Sequence, residues 1–233
     1  MEQILKAARL EKAELNGEEL DLINQQALRP LAAEEVYTFR LAACDNQVDR
    51  DLERFTEPAL AALAELFVGR PVLMDHRWSA GSQTARVYAA GVEETPGTAG
   101  GQRLVLRCYM PRLQGNRDTI SAIEGGLLRE CSVGVLMERA VCSICGTDRA
   151  AAWCEHVKGC EYEGRLCFIE LDGAKDAYEV SLVPVPAQPA AGTIKGYGGP
   201  EGPEKRTPTG GRPEEDSQEW QDEALLELEQ HRF

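Results

Sequence analysis

Glu-Cys-Ser-Val-Gly-Val at 130–135, Cys-Ser-Ile-Cys-Gly at 142–146, Trp-Cys-Glu-His-Val-Lys-Gly-Cys at 153–160 and Tyr-Glu-Val-Ser-Leu-Val-Pro-Val-Pro-Ala-Gln-Pro at 178–189 follow one another in a single stretch of this chain. The first holds Ser132 between apolar neighbours, and the last holds Glu179 just before the run Val180 to Val185. Apolar, β-branched runs bounded by turn residues read as strands. The two middle segments are cysteine-rich loop. A candidate nucleophile, a metal knuckle and an acid on an apolar strand therefore lie close together.

The cysteine-rich loop reads as a metal site inserted over 140–162. Cys142-x-x-Cys145 brings two thiolates onto one ion, and Gly146 permits the tight backbone that follows. Cys154-x-His156 supplies two more ligands. Soft and borderline donors favour zinc, and four of them close its coordination sphere, so the expected role is structural. Cys160 is a fifth candidate, either replacing His156 or spare. The alternative is a loop of unrelated cysteines.

Outward from this stretch, the 233 residues suit one domain with flanking segments, and 43% hydrophobic content suffices for a core. Val36-Tyr-Thr-Phe-Arg-Leu-Ala-Ala alternates as a strand, with a turn at Asp45-Asn46. Thr56 caps a helix over 57–67, with Pro58 in its first turn and Gly69 at its end. Pro71-Val-Leu-Met74 is a short strand delivering Asp75-His76. Strands are expected over 84–94 and 103–110 around the loop 96–101, a helix over 118–128, and strands over 132–138, 166–170 and 177–183. Residues 1–34 read as a helical or mobile arm, and the domain as 35–192. Residues 193–233 read as a disordered acidic tail with a short helix over 219–230.

A net charge of −14 argues against nucleic acid as a partner. No apolar run is long enough to span a membrane, so none is expected as a partner. Met1-Glu-Gln-Ile-Leu-Lys shows no apolar run with a small-residue cleavage site, so no signal peptide is expected. Eight cysteines in that setting point to a reducing compartment and to metal binding over disulfides.

The histidines are His76, His156 and His231. With His156 at the metal and His231 in the tail, His76 remains as an imidazole base. Ser132 is a hydroxyl on an apolar strand, where the plainer reading is a small polar group satisfied by a neighbouring carbonyl. Cys131 competes as nucleophile, but strand alternation turns it to the opposite face. Glu179 is either an edge-strand charge or the acid that orients the imidazole, with Asp75 and Asp176 as rivals. No G-x-S-x-G elbow is present.

Four segments together carry a resemblance: Asp49-Arg50-x-x-Glu53-Arg54-Phe55, Pro71-Val-Leu-Met-Asp-His76, Cys131-Ser132-Val-Gly134 and Glu179 through Pro189. Over roughly 35–192 the chain resembles the tailed-phage prohead maturation proteases, which are similar in fold to the herpesvirus assemblins. A subgroup is similar in carrying a C-S-I-C-G…C-x-H insertion after the serine strand. Many members have Leu-Ser-Ile-Gly where this chain has Cys-Ser-Val-Gly. The resemblance implies an α+β fold, a small, mostly antiparallel β-barrel flanked by helices, with an inserted structural zinc knuckle. It implies His76 as general base, Ser132 as nucleophile, Glu179 as third member, and an oxyanion donor from the backbone near Ala187-Gln188. The expected activity is that of a serine endopeptidase processing phage scaffold and major capsid proteins during prohead maturation. It would act through an acyl-enzyme, in the host bacterial cytoplasm inside the assembling prohead, with a second copy of the chain as a further candidate partner in a homo-oligomer. The alternative is a non-catalytic zinc-binding interaction or scaffold domain of a phage head.

Overall fold

The alternating run at Val36 forms β1 (Val36–Asp45), which pairs antiparallel with β5 (Gln102–Pro111). In turn β5 pairs antiparallel with β4 (Ala85–Glu94), and the two are joined by a tight loop in which Gly97 and Gly100 take positive φ. This computed structural model describes residues 15–188 and 190–194. The expected helix over 219–230, nearly all of the expected tail and the first fourteen residues of the arm lie outside the described residues.

Next to β4 lies the short β3 (Pro71–Met74), which also pairs parallel with β9 (Ile169–Leu182). The other side of β9 carries β6 (Cys131–Cys142) antiparallel along its whole length. A short β2 (Glu53–Phe55) runs parallel to the far end of β9, and β10 (Gly192–Ile194) closes onto β1. An isolated bridge between Glu130 and Gly192 draws the start of β6 toward β10. The outcome is an α+β fold, a curled eight-stranded sheet forming a half-barrel flanked by helices.

The sheet is mostly antiparallel, as expected, and is mixed only because β2 and β3 run parallel to β9. The cause is helix α2 (Glu57–Phe67), which connects β2 to β3. A helical crossover returns the chain in its original direction, so both short strands run the same way along β9. Two strands expected at 166–170 and 177–183 are corrected. Most of that span is the single strand β9, and Arg165–Leu166 instead forms β8, paired with β7 (Glu161–Tyr162) in a separate small hairpin. The Asp-Gly-Ala-Lys-Asp segment between the two expected strands carries turn residues, but β9 runs through it with a register shift against β6 at Lys175 and a positive φ at Gly173.

Thr56 caps α2 by accepting from Ala59 N at 3.3 Å, and Gly69 ends the turn at φ +85°. The helix buries Ala59, Leu60, Leu63 and Phe67, the last three in the core cluster that also holds Leu41, Val72, Val87, Leu104, Leu106, Val180 and Leu182. Helix α3 covers Arg117–Glu124, shorter than expected because Gly125 and Gly126, the latter at φ +75°, end it. Among the described residues no helix is long and apolar enough to cross a membrane.

Part of the N-terminal arm is built into the fold. Asn16 caps α1 (Gly17–Asn24) by accepting from Glu19 N at 2.8 Å. Ile23 is 0% exposed and packs with Val36, Tyr88 and Tyr109. Glu19 accepts from Tyr88 Oη at 3.1 Å, and Asn24 makes two bonds to the Leu31 backbone. Removing the buried Ile23 side chain leaves a cavity, so Ile23→Ala should lower unfolding free energy by about 2 to 4 kcal/mol. Urea denaturation checks this, and an unchanged midpoint would mean that the arm does not pack in solution.

Candidate functional site

Strand β3 ends in a turn of unusual conformation. Asp75 and His76 both take positive φ, at 54° and 52°, and Arg77 N donates to Met74 O at 3.0 Å. Two successive positive φ values closed by that bond match a type I′ turn, which glycine and asparagine normally occupy. Non-glycine residues there are strained by about 1 kcal/mol or more each, and surrounding contacts must hold them. Here Asp75 N donates to Leu182 O at 3.1 Å, and His76 N donates to Ser181 Oγ at 3.0 Å. The turn thus hangs from β9.

Against this turn β9 presents Glu179. The register with β6 steps from Gly134↔Glu179 to Val135↔Ala177, which leaves Tyr178 as an extra bulged residue. A bulge re-aims side chains. Ala177 and Val180 stay in the core cluster, while Glu179 turns to the other face. Its carboxylate is 1% exposed and lies 2.7 Å from His76 Nδ1, and it accepts from Ser181 Oγ at 2.6 Å. A buried carboxylate needs such donors. A carboxylate only accepts, so His76 Nδ1 carries a proton, which in the neutral imidazole leaves the lone pair on Nε2.

Ser132 lies opposite Ser181 across the β6–β9 ladder, two residues from Gly134. A Cβ on Gly134 would come within 2.6 Å of Glu179 Oε1, so Gly134 and the acid meet on one face. Strand alternation puts Ser132 and Ser181 there too. The structure brings His76, Glu179 and Ser181 into direct contact and sets Ser132 on the adjoining strand, partly exposed, with no hydrogen bond to His76. The His76 side chain is 41% exposed.

The rivals separate cleanly. Cys131 is fully buried, donates to Ala42 O at 3.3 Å, and has its thiol pushed up to about 12 by burial, so it offers no thiolate. Asp176 is held by Arg70 at 2.7 Å and accepts from Ala177 N. Asp75 is exposed, with no side-chain bond to His76. Gln188 is committed to β1: its amide clamps the Asp45 backbone, accepting from N at 2.5 Å and donating to O at 3.2 Å. Ala187 O accepts from Arg50 N at 3.2 Å, so this segment is laced to the 45–50 loop.

At the far end of the same ladder, β6 runs into the cysteine module. Cys142 N donates to Thr147 O, and Gly146 N donates to Cys142 O, both at 2.9 Å, with Gly146 at φ +73°. The ligand atoms of Cys142, Cys145, Cys154 and His156 all lie within 4.8 Å of one another. Cys145 Sγ is 3.4 Å from Cys154 Sγ, which is 3.4 Å from His156 Nδ1. Tetrahedral thiolates on one ion stand about 3.8 Å apart, so this set can hold a metal ion. Hydrogen bonding with the Thr147 hydroxyl and backbone draws the Cys145 thiol down to about 6, toward the ligating thiolate. Cys160 is exposed and outside the cluster.

Four residues carry no role in the sequence reading. Ser181 and Gly134 stand on the Ser132–Glu179 face, and alternation from either named residue points to them. Tyr178 marks a bulge, which has no periodic signature. Cys167 is fully buried with its sulfur 3.9 Å from Cys142 Sγ, and it lies at the end of the β7–β8 hairpin, beyond the span read as the knuckle.

Ser181→Ala removes one of two donors from a buried carboxylate and should cost about 1 to 3 kcal/mol, measurable by chemical denaturation. Elemental analysis should find one metal ion per chain. Cys142→Ser or prolonged chelation should lower the thermal midpoint. A metal-free preparation with an unchanged midpoint would refute a structural ion.

No protein-family model, curated protein or solved structure matches this chain.

Proposed function

We propose that this chain is a serine endopeptidase, with Ser132 as nucleophile, His76 as general base and Glu179 as the acid that orients it. The observation that carries the reading is the 2.7 Å contact between His76 Nδ1 and the buried Glu179 carboxylate, on the sheet face that also bears Ser132. His76 Nε2 takes the Ser132 proton as Oγ attacks the peptide carbonyl, then returns it to the leaving amine. Water, deprotonated by the same nitrogen, then cleaves the acyl-enzyme. Glu179 holds the tautomer and stabilises the imidazolium that forms between these steps. Catalytic hydrogen bonds often tighten only around substrate, and an exposed His76 on a turn can close that way.

The resemblance in sequence directs the activity to scaffold and major capsid proteins in an assembling phage prohead, within the host bacterial cytoplasm. The cysteine module is then a structural zinc site, since three thiolates and an imidazole favour zinc and leave no open position. The open spacing between Ser132 and His76 favours a second reading, a non-catalytic zinc-binding scaffold or interaction domain.

A fluorophosphonate probe separates the two. The full chain should label on one serine, and Ser132→Ala and His76→Ala should abolish labelling while remaining folded. Absence of labelling in the folded wild type would overturn the hydrolase. Against capsid and scaffold proteins, Glu179→Ala should cleave more slowly than Glu179→Gln. Both should fall below wild type, by about one to four orders of magnitude. Wild-type rates for Glu179→Ala would remove it from the site.

A further inference from the structure

Beside the His76–Glu179 pair lies an open groove of about 330 Å³. Its apolar lining is Pro71 and Leu73 of β3, Trp78 and Ala80 of the following loop, and Tyr178 of β9, and Glu179 itself borders it. Trp78 comes two residues after His76 and is 72% exposed. Its ring meets Tyr178 edge-on, with centroids 5.8 Å apart. The loop is ordered by local turns: Ser79 N donates to Arg77 O at 2.8 Å, and Ser82 N to Ser79 O at 3.0 Å. The single bulge at Tyr178 thus serves two ends, turning Glu179 to the imidazole and standing Tyr178 against Trp78.

We propose that this groove is the subsite that receives a large apolar side chain of the peptide substrate, next to the bond being cleaved. The proposal rests on the hydrolase reading above and names the substrate class of that same site. Three observations carry it. A tryptophan left mostly in water beside an imidazole base is apolar surface the core does not use. The groove touches Glu179, so a chain with its carbonyl at Ser132 has a neighbouring side chain within reach, successive extended residues rising only about 3.3 Å. Ser79 and Gln83 also line the groove, and among the described residues its one charged group is Glu179, already bonded to His76 and Ser181. A charged substrate side chain would therefore be desolvated without an ionic partner, whereas an apolar one gains buried area.

The test uses the full-length protein and a proteome-derived peptide library, with cleavage sites read by mass spectrometry. Wild type should enrich leucine, isoleucine, methionine or aromatic residues at one fixed position relative to the cleaved bond. Trp78→Ala should reduce that preference over alanine about tenfold or more, the scale of lost apolar contact in a specificity pocket. Leu113→Ala, an exposed apolar residue outside the groove, should keep the wild-type profile. Cleavage with no apolar enrichment, or an enrichment that Trp78→Ala retains, would overturn the subsite while leaving the hydrolase standing. If wild type neither cleaves peptides nor takes the fluorophosphonate label, the hydrolase reading fails and the subsite falls with it.

Discussion

The burial of one carboxylate organises this structure. Glu179 sits almost out of reach of water on the central strand, and an ion there is tolerable only if its lone pairs are met. One oxygen is met by Ser181 and the other by His76. His76 reaches it because β3 runs parallel to β9 and ends level with Leu182. It faces it because the turn accepts two strained residues, which the Leu182 carbonyl and the Ser181 hydroxyl hold down. Gly134 completes the arrangement by leaving open the space a side chain would fill. Each of these would be unfavourable alone, and together they satisfy one another.

Much of this was legible in the chain. The capped helix over 57–67 and the strand over 71–74 follow from Thr56, Pro58, Gly69 and a short apolar run, and they appear with those bounds. The cysteine knuckle was legible because C-x-x-C-G and C-x-H encode geometry locally. The mixed character of the sheet was not, because nothing local to β2 or β3 states which strand they join. The length of β9 was hidden for a different reason: Asp-Gly-Ala-Lys-Asp carries turn residues, and only the unbroken β6 beside it keeps the segment extended. Ser132, His76 and Glu179 could be singled out by scarcity and setting. The groove beside them depends on Trp78 and Tyr178, which are a hundred residues apart and meet only through the β3–β9 pairing.

The metal module is tied to the sheet by more than its connecting strands. Lys158 pairs with Glu53 at 2.8 Å, Ile169 N donates to Leu52 O at 2.9 Å, and the Arg54 guanidinium lies 4.8 Å from the Phe168 ring centroid. The 49–54 segment continues this link, since Arg50 bonds to Pro186 and Ala187 just beyond β9. An ion bound by the cysteine cluster would therefore also brace the short strand β2 and the segment that follows β9.

The two irregularities in β9 set where the chain can change length. Side chains alternate along a strand, so losing or gaining one residue inverts everything on one side of the event. Deleting Tyr178 itself would straighten the bulge and leave Glu179 opposite Gly134, but a residue lost or gained between Glu179 and Leu182, where the ladder is regular, would shift every partner on one side of the change. Glu179 or Val180 would then face the wrong way, an ion into the apolar core or an apolar side chain over the imidazole. The loops at the far end of the ladder impose no such parity, because the chain there leaves the sheet before it returns. Homologues of this chain should accordingly vary in length around the cysteine module or at the two irregularities, and keep an invariant residue count from Glu179 to Leu182.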